Sequence, residues 1–92
     1  MRTAHLFCEQ YYRARAGGHA KPGSCRLPLT QTQLGETLGA SLPSITRALG
    51  ALRRTRYVDW RGGTLHVHDW AKLANLGDFN PAYLHLRKPS RL

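Results

Sequence analysis

The sequence predicts a mostly α-helical domain, a three-helix core joined to a short antiparallel sheet that ends in a β-hairpin wing. Three observations predict it. Residues 30–56 hold two segments of helical apolar period split by Gly39-Ala40-Ser41. Residues 57–68 hold two strand-like pieces around Gly62-Gly63. The chain has 92 residues, enough for one small domain with a modest core, and its 41% hydrophobic content suits a compact fold.

The elements follow in order. Residues 3–16 place Leu6, Phe7, Tyr11, Tyr12 and Ala14 at mixed helical spacing. They predict a helix ending at Gly17-Gly18, where glycine tolerates left-handed backbone. Gly17, Gly18, Pro22, Gly23 and Ser24 make residues 17–25 a loop. Arg26-Leu27-Pro28-Leu29 reads as an extended edge piece, because Pro28 has no N–H to donate to a ladder. Thr30 and Gln33 form a capping box at the start of the next helix, whose Leu34 and Leu38 face the core. Gly39 ends it.

Ser41 or Leu42 caps the following helix, about residues 42–56, with Pro43 in the first turn, where its missing N–H costs nothing. This helix is expected to bury Ile45, Ala48, Leu49 and Leu52 and to present Pro43, Arg47, Gly50 and Arg54 on the opposite face. Gly50 costs roughly 1 kcal/mol relative to alanine in a helix interior. Either another backbone or a phosphate approaches there, or an exposed position has drifted. Residues 57–60 and 64–68 read as strands joined by Arg61-Gly62-Gly63, so residues 57–68 form a hairpin directly after a helix-turn-helix, which is a wing. Asp69 caps a helix through Trp70, Leu73 and Leu76, stopped by Gly77. Residues 81–86 add a last short turn and residues 87–92 a basic frayed tail. The implied division is a leading helix over 1–18, a winged helix-turn-helix over 19–86, and the tail.

Charge narrows the partner. Fourteen Lys and Arg against five Asp and Glu give a formal net charge of +9 and a pI near 10.6. Such a domain attracts polyanions. Nucleic acid is favoured over an anionic membrane surface, since no long basic amphipathic helix is present. Two cysteines are too few for a disulfide framework and are expected as free thiols. Met1-Arg2 is not followed by an apolar signal segment, and no apolar stretch spans a bilayer, so the expectation is a cytoplasmic protein with no membrane partner. No paired carboxylates, no nucleophile with its base and no phosphate-binding glycine loop are found. The expectation is no enzyme, no catalytic residue and no cofactor.

The second helix of a helix-turn-helix enters the DNA major groove. Double-stranded DNA is therefore the expected partner, and the candidate DNA-binding residues are Thr30, Gln31, Ser41, Ser44, Thr46, Arg47, Arg54 and Arg61. Arg47 can donate a fork to guanine O6 and N7, bind a phosphate, or stay solvated. Arg53, Arg54 and Arg56 either meet phosphate or serve the helix dipole. Arg61 at the wing tip meets phosphate or solvent, and capping alone also accounts for Thr30 and Gln31. His66 and His68 share a strand face, but exposed wing histidines outweigh a metal site, and no metal is expected. Trp60 and Trp70 are read as packing the wing onto the body rather than stacking on bases. Arg47, Arg54 and Arg61 are expected to project from a common side and straddle a duplex.

The chain resembles the C-terminal DNA-binding domain of the Crp/Fnr transcription regulators. The likeness runs from about Leu27 to Leu86, and is weaker around Ala4-His5-Leu6-Phe7-Cys8-Glu9. It rests on Leu29-Thr30-Gln31-x-x-Leu34-Gly35-x-x-Leu38-Gly39-x-Ser41, Ile45-x-Arg47-x-Leu49-x-x-Leu52, Trp60-Arg61-Gly62-Gly63-x-Leu65 and Asp69-Trp70-x-x-Leu73, in this order. The resemblance implies sequence-specific binding and transcription regulation by homodimers that recruit or block RNA polymerase. It also implies an N-terminal sensory β-roll and a long dimerisation helix, which this sequence lacks apart from a remnant, so no effector is assigned. Two cysteines cannot supply the four thiolates of an iron–sulfur cluster. Leu42-Pro43 stands where some members carry an Arg-Glu pair, so their half-site preference does not transfer. Two alternatives stand beside this reading: a protein-interaction winged-helix module, and a truncated fragment with only weak non-specific DNA binding.

Overall fold

In the computed structural model, which describes residues 1–80, the elements are α1 (Arg2–Ala16), β1 (Ser24–Arg26), α2 (Gln31–Leu38), α3 (Leu42–Thr55), β2 (Val58–Arg61), β3 (Thr64–Val67) and α4 (Trp70–Leu76). The fold is a winged helix-turn-helix, four helices on a three-stranded antiparallel sheet of order β1-β3-β2. The turn expected over residues 81–86 and the tail over 87–92 lie outside the described residues.

One core serves all the elements. Ala4, Phe7 and Cys8 of α1 pack with Cys25, Leu34, Ile45, Leu52, Val58, Leu65, Val67 and Leu73. Alternation along the strands sends Val58, Trp60, Leu65 and Val67 inward. Trp60 lies against Phe7, ring centroids 5.7 Å apart, and its indole N–H donates to the Leu27 carbonyl at 3.0 Å. Trp70 packs with Tyr11 and Phe79. Both tryptophans are thus packing groups. Burial pushes the Cys8 thiol up to about 12 and raises that of Cys25; both are free and buried.

Several boundaries move. The edge strand is Ser24–Arg26, two residues earlier than expected, because Cys25 pairs with Leu65 and fills the core, whereas Leu27–Leu29 leaves the ladder at Pro28. Leu27 keeps one bond, its N–H donating to the Gly63 carbonyl at 2.9 Å. α1 starts at Arg2, and it is Gly18 rather than Gly17 that carries the positive φ, 76°. β2 extends through Arg61, which leaves a two-residue turn. Gly62 and Gly63 have φ of 60° and 73°, the positive values that a primed hairpin turn requires. Tyr57 and His68 fall just outside the strands and close the hairpin through the His68 N–H to Tyr57 carbonyl bond.

The helix signals hold. Thr30 Oγ1 accepts from the Gln33 N–H at 3.0 Å, and Gln33 Oε1 accepts from the Thr30 N–H at 2.9 Å. Gly39 caps α2 in left-handed backbone, φ 66°. Asp69 caps α4 by accepting from the Lys72 N–H. Gly35 is buried where α2 meets the turn: a Cβ there would lie 2.7 Å from the Ala40 carbonyl oxygen.

Candidate nucleic-acid interface

The candidate recognition helix α3 is fixed at both ends. Ser41 is its N-cap, with Oγ accepting from the Ser44 N–H at 3.3 Å, so Leu42 is helical rather than the cap. Arg56 closes the helix at φ 64°, left-handed, and is therefore a cap and not a helical residue. Ile45 and Leu52 are buried, while Ala48 and Leu49 are only half-buried. The inward face is thus narrower than its apolar period implies: α1, α2 and β2, which pack against α3, leave Ala48 and Leu49 partly open.

Six of the eight candidate residues stand in hydrogen-bonded sets. Ser41 Oγ–H donates to Ser44 Oγ at 3.0 Å, and an Arg47 guanidinium N–H donates to the same oxygen at 3.3 Å. This draws the exposed Arg47 fork toward the N-terminal end of α3, the end that reaches base edges when such a helix enters a groove. Thr46 Oγ1–H donates to Gln31 Oε1 at 3.3 Å, across the two helices. Gln31 also lines a shallow depression with Trp60, Arg61, Gly62 and Gly63. The wing turn, the first residue of α2 and the middle of α3 therefore adjoin through Gln31. Thr30 has both its side chain and its N–H engaged within the capping box.

The two remaining arginines lie differently. Arg54 folds back along α3, so that a Cβ on Gly50 would meet only its guanidinium, at 3.6 Å. Among the described residues no other backbone approaches Gly50, which leaves phosphate as the remaining reason for a close approach there. Gly50→Ala is expected to raise stability by about 0.5–1 kcal/mol, by helix propensity, in urea denaturation. Arg61 is not a free wing-tip cation: its guanidinium pairs with Asp59 Oδ2 at 2.6 Å, with the two side chains 79% and 18% exposed.

Sequence reasoning passed over two residues. Asp59 carried a signal, as the one acid in the hairpin segment, two residues from Arg61 on the same strand face. Leu42, taken as a possible cap and as a departure from the family's Arg-Glu pair but not as a contact residue, is 48% exposed at the first residue of α3; with Met1 it makes up the exposed large hydrophobics among the described residues. His66 and His68 stack with ring planes 7° apart. No group of three or more His, Cys, Asp or Glu that could hold a metal occurs among the described residues, and no described helix is long and apolar enough to cross a membrane.

Comparison with known proteins gives one family and one set of folds. The model of the Crp-like helix-turn-helix domain matches residues 1–76. No curated protein matches the sequence. Among solved structures, oxidized CprK in complex with o-chlorophenolacetic acid is similar with TM-score 0.65 and 20% identity, over 85% of this chain and 34% of that one. Reduced CprK without ligand gives 0.62 and 19%, over 80% of this chain and 37% of that one. At such identities the likeness is one of fold, and the chain spans little more than a third of either protein.

Proposed function

The chain belongs to the Crp-like helix-turn-helix domain family, a family of DNA-binding transcription regulators, and on that premise we propose that it binds double-stranded DNA sequence-specifically to regulate transcription. The observation that carries this reading is the Ser41–Ser44–Arg47 hydrogen-bonded string on the exposed N-terminal half of α3. Arg47 reads guanine O6 and N7 in the major groove. Ser44 and Ser41 orient it, and Leu42 offers an apolar contact to a thymine methyl. Thr30 and Gln31 at the start of α2, Thr46, Arg54 and the wing around Arg61 hold the backbone and the register. The binding unit is residues 19–86, led by the helix over 1–18 and followed by the basic tail. Two copies on a two-half-site duplex, and RNA polymerase beyond them, complete the proposal.

A protein-interaction module would instead offer an apolar patch. Among the described residues the exposed large hydrophobics are only Met1 and Leu42, against a formal charge of +9. Counterion release separates the two readings. Affinity for a short duplex, followed by fluorescence anisotropy, is expected to fall with a log–log salt slope of about −0.9 per phosphate neutralised, hence about −1.8 or steeper once Arg54 and Arg61 both meet the backbone. A flat response would overturn DNA binding in favour of the interaction module.

A further inference from the structure

We infer that Asp59 is a positioning residue that competes with DNA phosphate for the wing arginine, so that Arg61 engages a duplex only when phosphate displaces an internal carboxylate. The inference rests on the DNA-binding reading and says how its wing is held in check. In β2, Val58 and Trp60 point into the core, which sets Asp59 and Arg61 together on the outer side of the sheet. Their ion pair is short, 2.6 Å, and lopsided: the arginine is 79% exposed and the carboxylate 18%. A strand-held aspartate is a fixed acceptor; the arginine is the mobile partner.

The setting makes the exchange feasible. β2 is an edge strand beside α3, and Asp59 borders an open cleft of about 330 Å³ with Arg53, Arg56 and His68. His66 sits directly across the ladder from Asp59. Among the described residues, the other charged or titratable side chains lining this cleft or facing Asp59 across the ladder are thus cations or histidines. When a phosphate takes Arg61, the carboxylate still borders a cleft that Arg53 and Arg56 also line, so it is left facing positive charge. The wing turn beside Arg61 is Gly62-Gly63, which puts no side chain between the guanidinium and an approaching backbone. Five acids stand against fourteen Lys and Arg in the sequence, so one placed against the wing arginine changes local charge more than its number suggests.

The test uses the whole chain and a short random-sequence duplex at low salt. Asp59→Asn, nearly isosteric, is expected to tighten binding roughly two- to fivefold, the range of an exposed ion pair. The gain shrinks as salt screens the pair. In an Arg61→Gln background the same substitution is expected to change affinity by less than about 1.5-fold, because the competitor then has nothing to hold. In the free protein, the NMR signal of the Arg61 side-chain Nε–H is expected to shift on Asp59→Asn. An equal gain with and without Arg61 would reduce Asp59 to bulk charge and overturn the inference. So would binding that ignores Asp59→Asn while the parent chain still binds duplex. A parent chain with no affinity for duplex would sink the DNA reading itself, and the competition with it.

Discussion

Gly77→Ala is expected to destabilise the fold by about 3 kcal/mol, the upper part of the range for overpacking a core. A Cβ at Gly77 would lie 2.7 Å from the His5 nitrogen, 2.8 Å from the Ala4 carbonyl carbon and 2.9 Å from the His5 Cα. These are backbone atoms of α1 and cannot rotate aside, so the two helices must part. They are tied there: His5 Nδ1 bonds the Gly77 carbonyl at 2.9 Å, and the N-terminal amine donates to the Leu76 carbonyl at 3.1 Å. Separation would also open the packing of Ala4 and Leu73, both 0% exposed. Urea denaturation measures the loss. A midpoint unchanged from the parent would mean that α1 and α4 do not meet at this glycine.

The second large effect falls on recognition. Arg47→Ala is expected to weaken binding to a duplex selected by the parent chain by about 1–3 kcal/mol, and to relax preference at one position rather than at all. Arg47→Lys keeps the charge but loses the planar fork, and most of the selectivity should go with it. Neither change touches the core, since Arg47 is exposed and, among the described residues, its guanidinium bonds Ser44 Oγ. Fluorescence anisotropy on the selected duplex decides. Full affinity in Arg47→Ala would remove Arg47 from the reading of bases.

These cases show what was legible in the sequence. Capping is local: Thr30 with Gln33, Ser41 with Ser44 and Asp69 with Lys72 lie within one turn of chain; Thr30 and Asp69 were readable from residue type and spacing, while Ser41 was one of two candidates beside Leu42. The family motifs around Leu34, Arg47 and Leu65 placed the helix-turn-helix and its hairpin. Gly77 was read as a helix stop, yet its φ is −87°, an ordinary value. Its reason lies in residues about seventy positions earlier, which no local period reveals. The start of the edge strand was misplaced for the same cause, since Cys25 is drawn in by Leu65 across the sheet. At the interface the positions of the cations were legible, but their commitments were not. That Arg61 is engaged by Asp59, and Arg47 drawn back by Ser44, are facts of side-chain geometry.

The strand order has a mechanical result. The polypeptide leaves the sheet at Arg26 and re-enters it at Val58, and β3 clasps both exits, pairing with β1 on one side and β2 on the other. Everything between, including the whole of α2 and α3, is an excursion with its two feet pinned to a single strand. The helix pair and the hairpin therefore turn as one piece. A tug on either is transmitted through β3, and twisting one against the other would require that ladder to be unzipped first.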